Sequence, residues 1–210
     1  AGDRGRAYGL CQFDYRYDLV DFMRWAYERH PSLWQEFAEY TEKNARDVSL
    51  VENAGIVQAF VSARERDYEA AMEFMRMTYW DNFAAKLNAA GYRLSERHIA
   101  VSAAFFSVNV NCSSQASVFL EHLSPEMTDA EMICEIYKIR NTILAEQNVG
   151  RVKKGTTLRY QMAEPRMALD LLHGYTTIDS VKNYGGGVQW NGDLFVNAVL
   201  TSAVHGMSME

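Results

Sequence analysis

The 210-residue chain has only three prolines and three cysteines, and nowhere a tract of Lys and Arg. Scarce proline, set against abundant Ala, Met, Glu and Leu, disfavours a turn-rich β architecture and favours helices. Cys11, Cys112 and Cys134 are odd in number and lack a paired spacing, which excludes a disulfide framework and points to reduced thiols, two of them filling core. No apolar run reaches the ~18 residues of a membrane span. No charged-then-apolar segment opens the chain as a signal peptide would, so export is expected to use another route, such as a phage or a secretion system. Acidic residues outnumber basic ones, 27 to 21, and the signs are mixed along the chain, which argues against a nucleic-acid partner. The histidines (His30, His98, His122, His173, His205) form no His-x₃-His pair and no Cys-x₂-Cys is present, so neither a metal nor a cofactor is expected.

What is present is helical periodicity. Leu19, Phe22, Met23 and Ala26 fall on one face of a helix that Pro31 closes, and Leu33, Trp34, Phe37 and Tyr40 repeat the pattern. An amphipathic stretch runs from Val48 to Ala90, with a break expected near Arg64 to Asp67 and an end at Gly91. The segment SERHIAVSAAFFSVNV is apolar almost all round and predicts a buried helix with Ser95 as its N-cap. Thr128 and Glu131 form a capping-box pattern for a helix to about Glu146, RVKKGTT predicts a basic loop, and a further helix is expected to kink at Pro165. The Met-rich AAMEFMRMTYW predicts a core face.

Residues 185–192 are the densest glycine cluster and predict a joining segment between a helical body, 1–184, and a last helix, 193–210, that completes the same domain. That last helix is apolar enough to belong in a core, and it ends at Glu210. Cys112 beside a histidine would make a thiol dyad, against the simpler reading of a structural thiol. Arg140, Arg151, Lys153, Lys154 and Arg159 are candidates to meet anionic peptide stems, or to form a solvated basic face.

The opening AGDRGRAYGLCQFD sets Asp3 and Asp14 eleven residues apart around a glycine-rich, alternating stretch that predicts a short hairpin, with Gly9 suited to a positive φ. Two solvated turn aspartates is one reading of that spacing. Gly2-Asp3-Arg4-Gly5, Tyr8-Gly9-Leu10, Gln12 and Asp14 also resemble the core motif of goose-type lysozymes, and the Gly-Leu-x-Gln element is similar to that of lytic transglycosylases. The resemblance covers about fourteen residues.

It implies a monomeric, mainly α (α+β) lysozyme-like domain, built around a buried central helix with a small hairpin by the cleft. It also implies a muramidase cutting the β-1,4 bond between N-acetylmuramic acid and N-acetylglucosamine in peptidoglycan. On this resemblance Asp3 and Asp14 hold the hydrolytic water, while Tyr8, Gly9, Gln12 and Tyr160 line the sugar groove. The family's catalytic glutamate lies upstream of the motif. Joined head to tail, the chain ends would supply it as Glu210, so a circular permutation is expected. The alternatives are a lytic transglycosylase, or a peptidoglycan-binding module without catalysis. Glycoside hydrolysis requires a proton donor and an opposed carboxylate, the donor favouring an apolar setting that raises its pKa.

Overall fold

The computed structural model describes residues 4–9, 11–111, 116–144 and 163–175; among these, helix dominates and the one sheet is a two-stranded antiparallel hairpin. The mainly α class expected from composition is the class observed. The chain divides into two compact units, one up to Phe74 and one from Met75 onward. The glycine-rich segment 185–192, the helix expected over 193–210, the basic loop and Cys112 lie outside the described residues.

In the first unit, β1 (Ala7–Tyr8) pairs with β2 (Phe13–Asp14), Tyr8 opposite Phe13 and Ala7 opposite Asp14. The helix α1 (Leu19–Arg29) buries Leu19, Val20, Phe22, Met23 and Ala26, the face its spacing predicts, and stops just short of Pro31. The next apolar segment departs from expectation. It forms a 3₁₀ helix, Gln35–Tyr40, and Trp34, Phe37 and Tyr40 turn inward at intervals of three, while Leu33 is left exposed. A three-residue turn brings that spacing onto one face, as a 3.6-residue turn would not.

A 3₁₀ turn, Val48–Leu50, leads to α2 (Ala54–Tyr79), which begins where the Asn53 side-chain carbonyl accepts the Ile56 N–H at 3.0 Å. No break occurs at Arg64 to Asp67. Charged residues with good helix propensity continue a helix, and the chain turns instead at Trp80. The core of this unit is aromatic: Phe13 stacks on Phe22 at 4.2 Å between centroids, Phe22 meets Phe74 edge-on at 5.4 Å, and Phe37 lies 5.1 Å from Phe60.

In the second unit, α3 (Asp81–Ala89) ends at Ala90 and Gly91, the latter at φ +90°. The helix α4 (Ile99–Asn111) is apolar around its circumference and buried, as its composition predicts. Its first turn is capped by His98, whose Nδ1 accepts the Ala100 N–H at 3.2 Å; Ser95, the expected cap, sits in a separate 3₁₀ turn, Leu94–Glu96. Phe83 of α3, Phe105 of α4 and Phe119 of α5 (Ala116–His122) meet pairwise edge-on at 5.8 to 5.9 Å.

The helix α6 (Asp129–Ile139) starts with the expected Thr128/Glu131 capping box and runs into a π-helical turn, Arg140–Leu144. The helix α7 (Glu164–Leu172) packs with α4 and α6. Pro165 stands in its first turn, where a missing N–H costs no helical bond, and the residues before Ala163 on which the expected kink would show lie outside the described residues. Between these helices Glu164 is wholly buried and accepts from Ser107 Oγ at 2.6 Å and from the Tyr137 hydroxyl at 3.2 Å.

Candidate functional site

The predicted site residues that the structure describes converge on the hairpin. Its turn runs from Gly9 to Gln12, both at positive φ (+70° and +55°). Gln12 donates from its backbone at 3.3 Å and from its side-chain amide at 2.8 Å to the Gly9 carbonyl, and this double bond to one acceptor offsets the strain of its own left-handed backbone. Gly9 is required for a second reason. A Cβ there would come within 2.5 Å of the Phe60 ring on α2, so the turn sits directly on that ring.

Asp14 ends β2 and is locked. Its Oδ1 accepts the Arg16 backbone N–H and the Arg16 Nε–H, both at 2.8 Å, and its Oδ2 pairs with the other edge of the same guanidinium. The Asp14 N–H in turn donates to Asp18 Oδ1 at 2.7 Å. A bidentate guanidinium pair of this kind fixes the carboxylate plane as well as its charge. Arg16 lies against two tyrosines, 6.0 Å from the Tyr15 centroid and 5.5 Å from Tyr17, and Tyr17 is 54% exposed. The hairpin thus presents a fixed negative charge beside an exposed, cation-backed aromatic face.

Tyr8 does not line a groove. It is buried, and its hydroxyl lies 2.6 Å from the Leu50 carbonyl and 2.9 Å from the Gly5 carbonyl while accepting the Asn53 N–H at 2.9 Å. This tethers the hairpin to the start of α2. Gln12 is exposed and Gly9 half-exposed. Asp3, Tyr160 and Glu210 lie outside the described residues. Arg140, a candidate for meeting anionic stems, is buried, because α6 runs on into the π turn and carries it inward.

Sequence reasoning passed over Arg16, Asp18 and Asp67. The first two follow Asp14 at i+2 and i+4, a spacing that local turn chemistry could have flagged. Asp67 is buried on α2 beside the hairpin, and only the fold brings it there. Burial, reinforced by the charges of Asp67 and Asp18, pushes the Cys11 thiol well above its ordinary pKa. Cys11 is therefore a neutral thiol, unsuited to nucleophilic chemistry. Elsewhere, an open depression of 490 Å³ in the second unit is lined by Glu126, Glu131 and Glu135 with the exposed Cys134, and its Glu131 is committed to the α6 cap. Among the described residues no group of three His, Cys, Asp or Glu side chains is arranged to hold a metal, and no helix is long and apolar enough to cross a membrane.

A family model described as type VI secretion system spike protein VgrG3-like, C-terminal, matches residues 58–162, half of the chain. The chain belongs to that family. The membership of the goose-type lysozymes and lytic transglycosylases expected from the opening motif is overturned by this match, and the circular permutation argued from it falls too. The VgrG3-like segment begins at Gln58, downstream of the motif. The fourteen-residue likeness is confined to a hairpin whose glycine and glutamine serve a tight turn, a local requirement that does not fix a family. No curated protein and no solved structure matches the chain.

Proposed function

We propose that this VgrG3-like chain acts on peptidoglycan as an effector carried by a type VI secretion spike, cleaving the β-1,4 bond between N-acetylmuramic acid and N-acetylglucosamine. The observation that carries the reading is the locked Asp14 carboxylate beside the exposed, arginine-backed Tyr17. An aromatic face suits the apolar side of a sugar ring. A fixed carboxylate suits the positive charge that grows on the anomeric carbon as a glycosidic bond breaks. Held by three N–H donors, Asp14 serves as the charged partner and not as the proton donor. Asp3 is assigned, within this proposal, as the second carboxylate.

The family name supports delivery by a spike, and the hairpin supports a glycan as target. One observation favours a second reading. Both Asp14 oxygens are engaged by Arg16, which suits a wall-binding module without catalysis.

Incubation with purified sacculi separates these readings. Hydrolysis is expected to lower turbidity and release reducing muramic acid, with Asp14→Asn losing the activity while the far-ultraviolet circular dichroism is unchanged. A 1,6-anhydro product would mark the transglycosylase outcome. Sedimentation with sacculi without loss of turbidity would mark the binding module, and absence of both would end the proposal.

A further inference from the structure

Four arginines of the first unit have a carboxylate partner. Arg16 holds Asp14, Arg24 lies by Asp21, Arg29 by Glu73 and Arg66 by Glu36. Arg4, Arg6 and Arg46 differ: all three are exposed, and among the described residues no carboxylate comes within ion-pair distance of any of them. Arg6 and Arg46, forty residues apart in sequence, are also linked through one residue. The Tyr15 N–H donates to the Arg6 carbonyl at 2.9 Å, and the Arg46 N–H donates to the Tyr15 carbonyl at 2.8 Å. The backbones of Arg6 and Arg46 are therefore both bonded to that of Tyr15, the residue next to Asp14.

Arg46 is held there at φ +70°, a conformation unfavourable for an arginine and one that glycine or asparagine would adopt more readily. In a chain whose net charge is −6, guanidiniums with no carboxylate partner among the described residues are a local source of positive charge. Guanidinium is the side chain best matched to a carboxylate, through two parallel N–H bonds.

We propose that Arg6 and Arg46 form a carboxylate-recognising subsite beside Asp14, taking the acidic peptide stems of the glycan strand. The subsite rests on the peptidoglycan reading above and adds to it a selection for stem-bearing wall over neutral glycan. Nucleic acid would present anions too, but it would require a longer basic track than two arginines beside an aspartate provides.

The test is co-sedimentation of the full chain with two preparations of sacculi, native and with carboxylates capped as neutral amides by carbodiimide and methylamine. Wild type is expected to bind native wall about five- to tenfold more tightly than capped wall, the effect of two exposed charge-assisted contacts. The Arg6→Gln/Arg46→Gln variant is expected to bind both preparations as wild type binds the capped one, with a flatter dependence on salt. Arg6→Lys/Arg46→Lys should restore part of the difference, and unchanged melting curves would show both variants folded.

The subsite is overturned if the glutamine variant keeps full preference for native wall, if it loses binding equally on both, or if short duplex DNA competes as well as soluble stem peptide. Failure of wild type to bind either preparation would instead remove the peptidoglycan reading, and the subsite with it.

Discussion

Replacing Tyr8 by Phe removes one oxygen and leaves the ring in place, stacked 6.4 Å from Phe60. The lost hydroxyl accepts the Asn53 N–H and donates its single proton to the Leu50 carbonyl, with the Gly5 carbonyl also within reach. Each bond contributes about 0.5–1.5 kcal/mol net, and a buried group left without a partner costs about 1–3 kcal/mol. Water reaches the partly exposed Asn53 side and replaces some of that, so the sum is about 2–3 kcal/mol. In a chain of this length that corresponds to a melting temperature lower by about 5–10 °C. Differential scanning calorimetry of wild type and Tyr8→Phe measures the shift, and binding to sacculi well below both transitions measures function. The expected result is a destabilised variant with unchanged wall binding. A variant within about 0.5 kcal/mol of wild type that had lost wall binding would refute the tether and put Tyr8 against the glycan.

Two further outcomes follow from the charge environments. Hydrogen bonds from the Thr128 side chain and backbone hold the Glu131 carboxyl below its usual value, so the stability it contributes is full above the ordinary glutamate pKa and is lost as pH falls through the lowered one. Thr128→Ala should therefore destabilise the protein near neutrality, and urea titrations should show that deficit shrinking as pH falls through the glutamate range; a deficit that grows with acid would contradict the cap. At neutral pH iodoacetamide should modify the exposed Cys134 before Cys11, whose thiol is kept protonated by burial and by Asp67 and Asp18, and peptide mass mapping reads the order. Earlier labelling of Cys11 would show that the hairpin leaves α2 in solution.

Where residue spacing alone decides an element, the sequence was sufficient. The face of α1, the Thr128 box and the all-apolar α4 follow from local periodicity and side-chain chemistry. Trp34, Phe37 and Tyr40 were correctly read as inward-facing, but their interval of three was taken for an α-helix because the core that selects the tighter turn is not visible in one segment. The break expected at Arg64 to Asp67 does not occur, because charged residues of good helix propensity continue a helix. Gly9 at positive φ was legible, whereas its contact with Phe60, more than fifty positions away, was not. At the site, the hairpin was readable and its role assignments were only partly so. Tyr8 looked like a sugar-facing aromatic because sequence does not say which side of a two-residue strand is covered. The family drawn from the motif was wrong because fourteen residues of turn chemistry cannot outweigh a match over half the chain.

The engagement of Glu164 by Ser107 and Tyr137 bears on where this domain can be cut. The family match stops at residue 162, two positions before that glutamate. A fragment trimmed to 58–162 would keep both hydroxyls and lose their acceptor, and would strip α7 from the apolar flanks of α4 and α6. It would also begin inside α2, without the Asn53 cap. The matched stretch thus starts inside one helix and stops short of another that packs on it, and an expression boundary belongs outside α7 and ahead of Asn53.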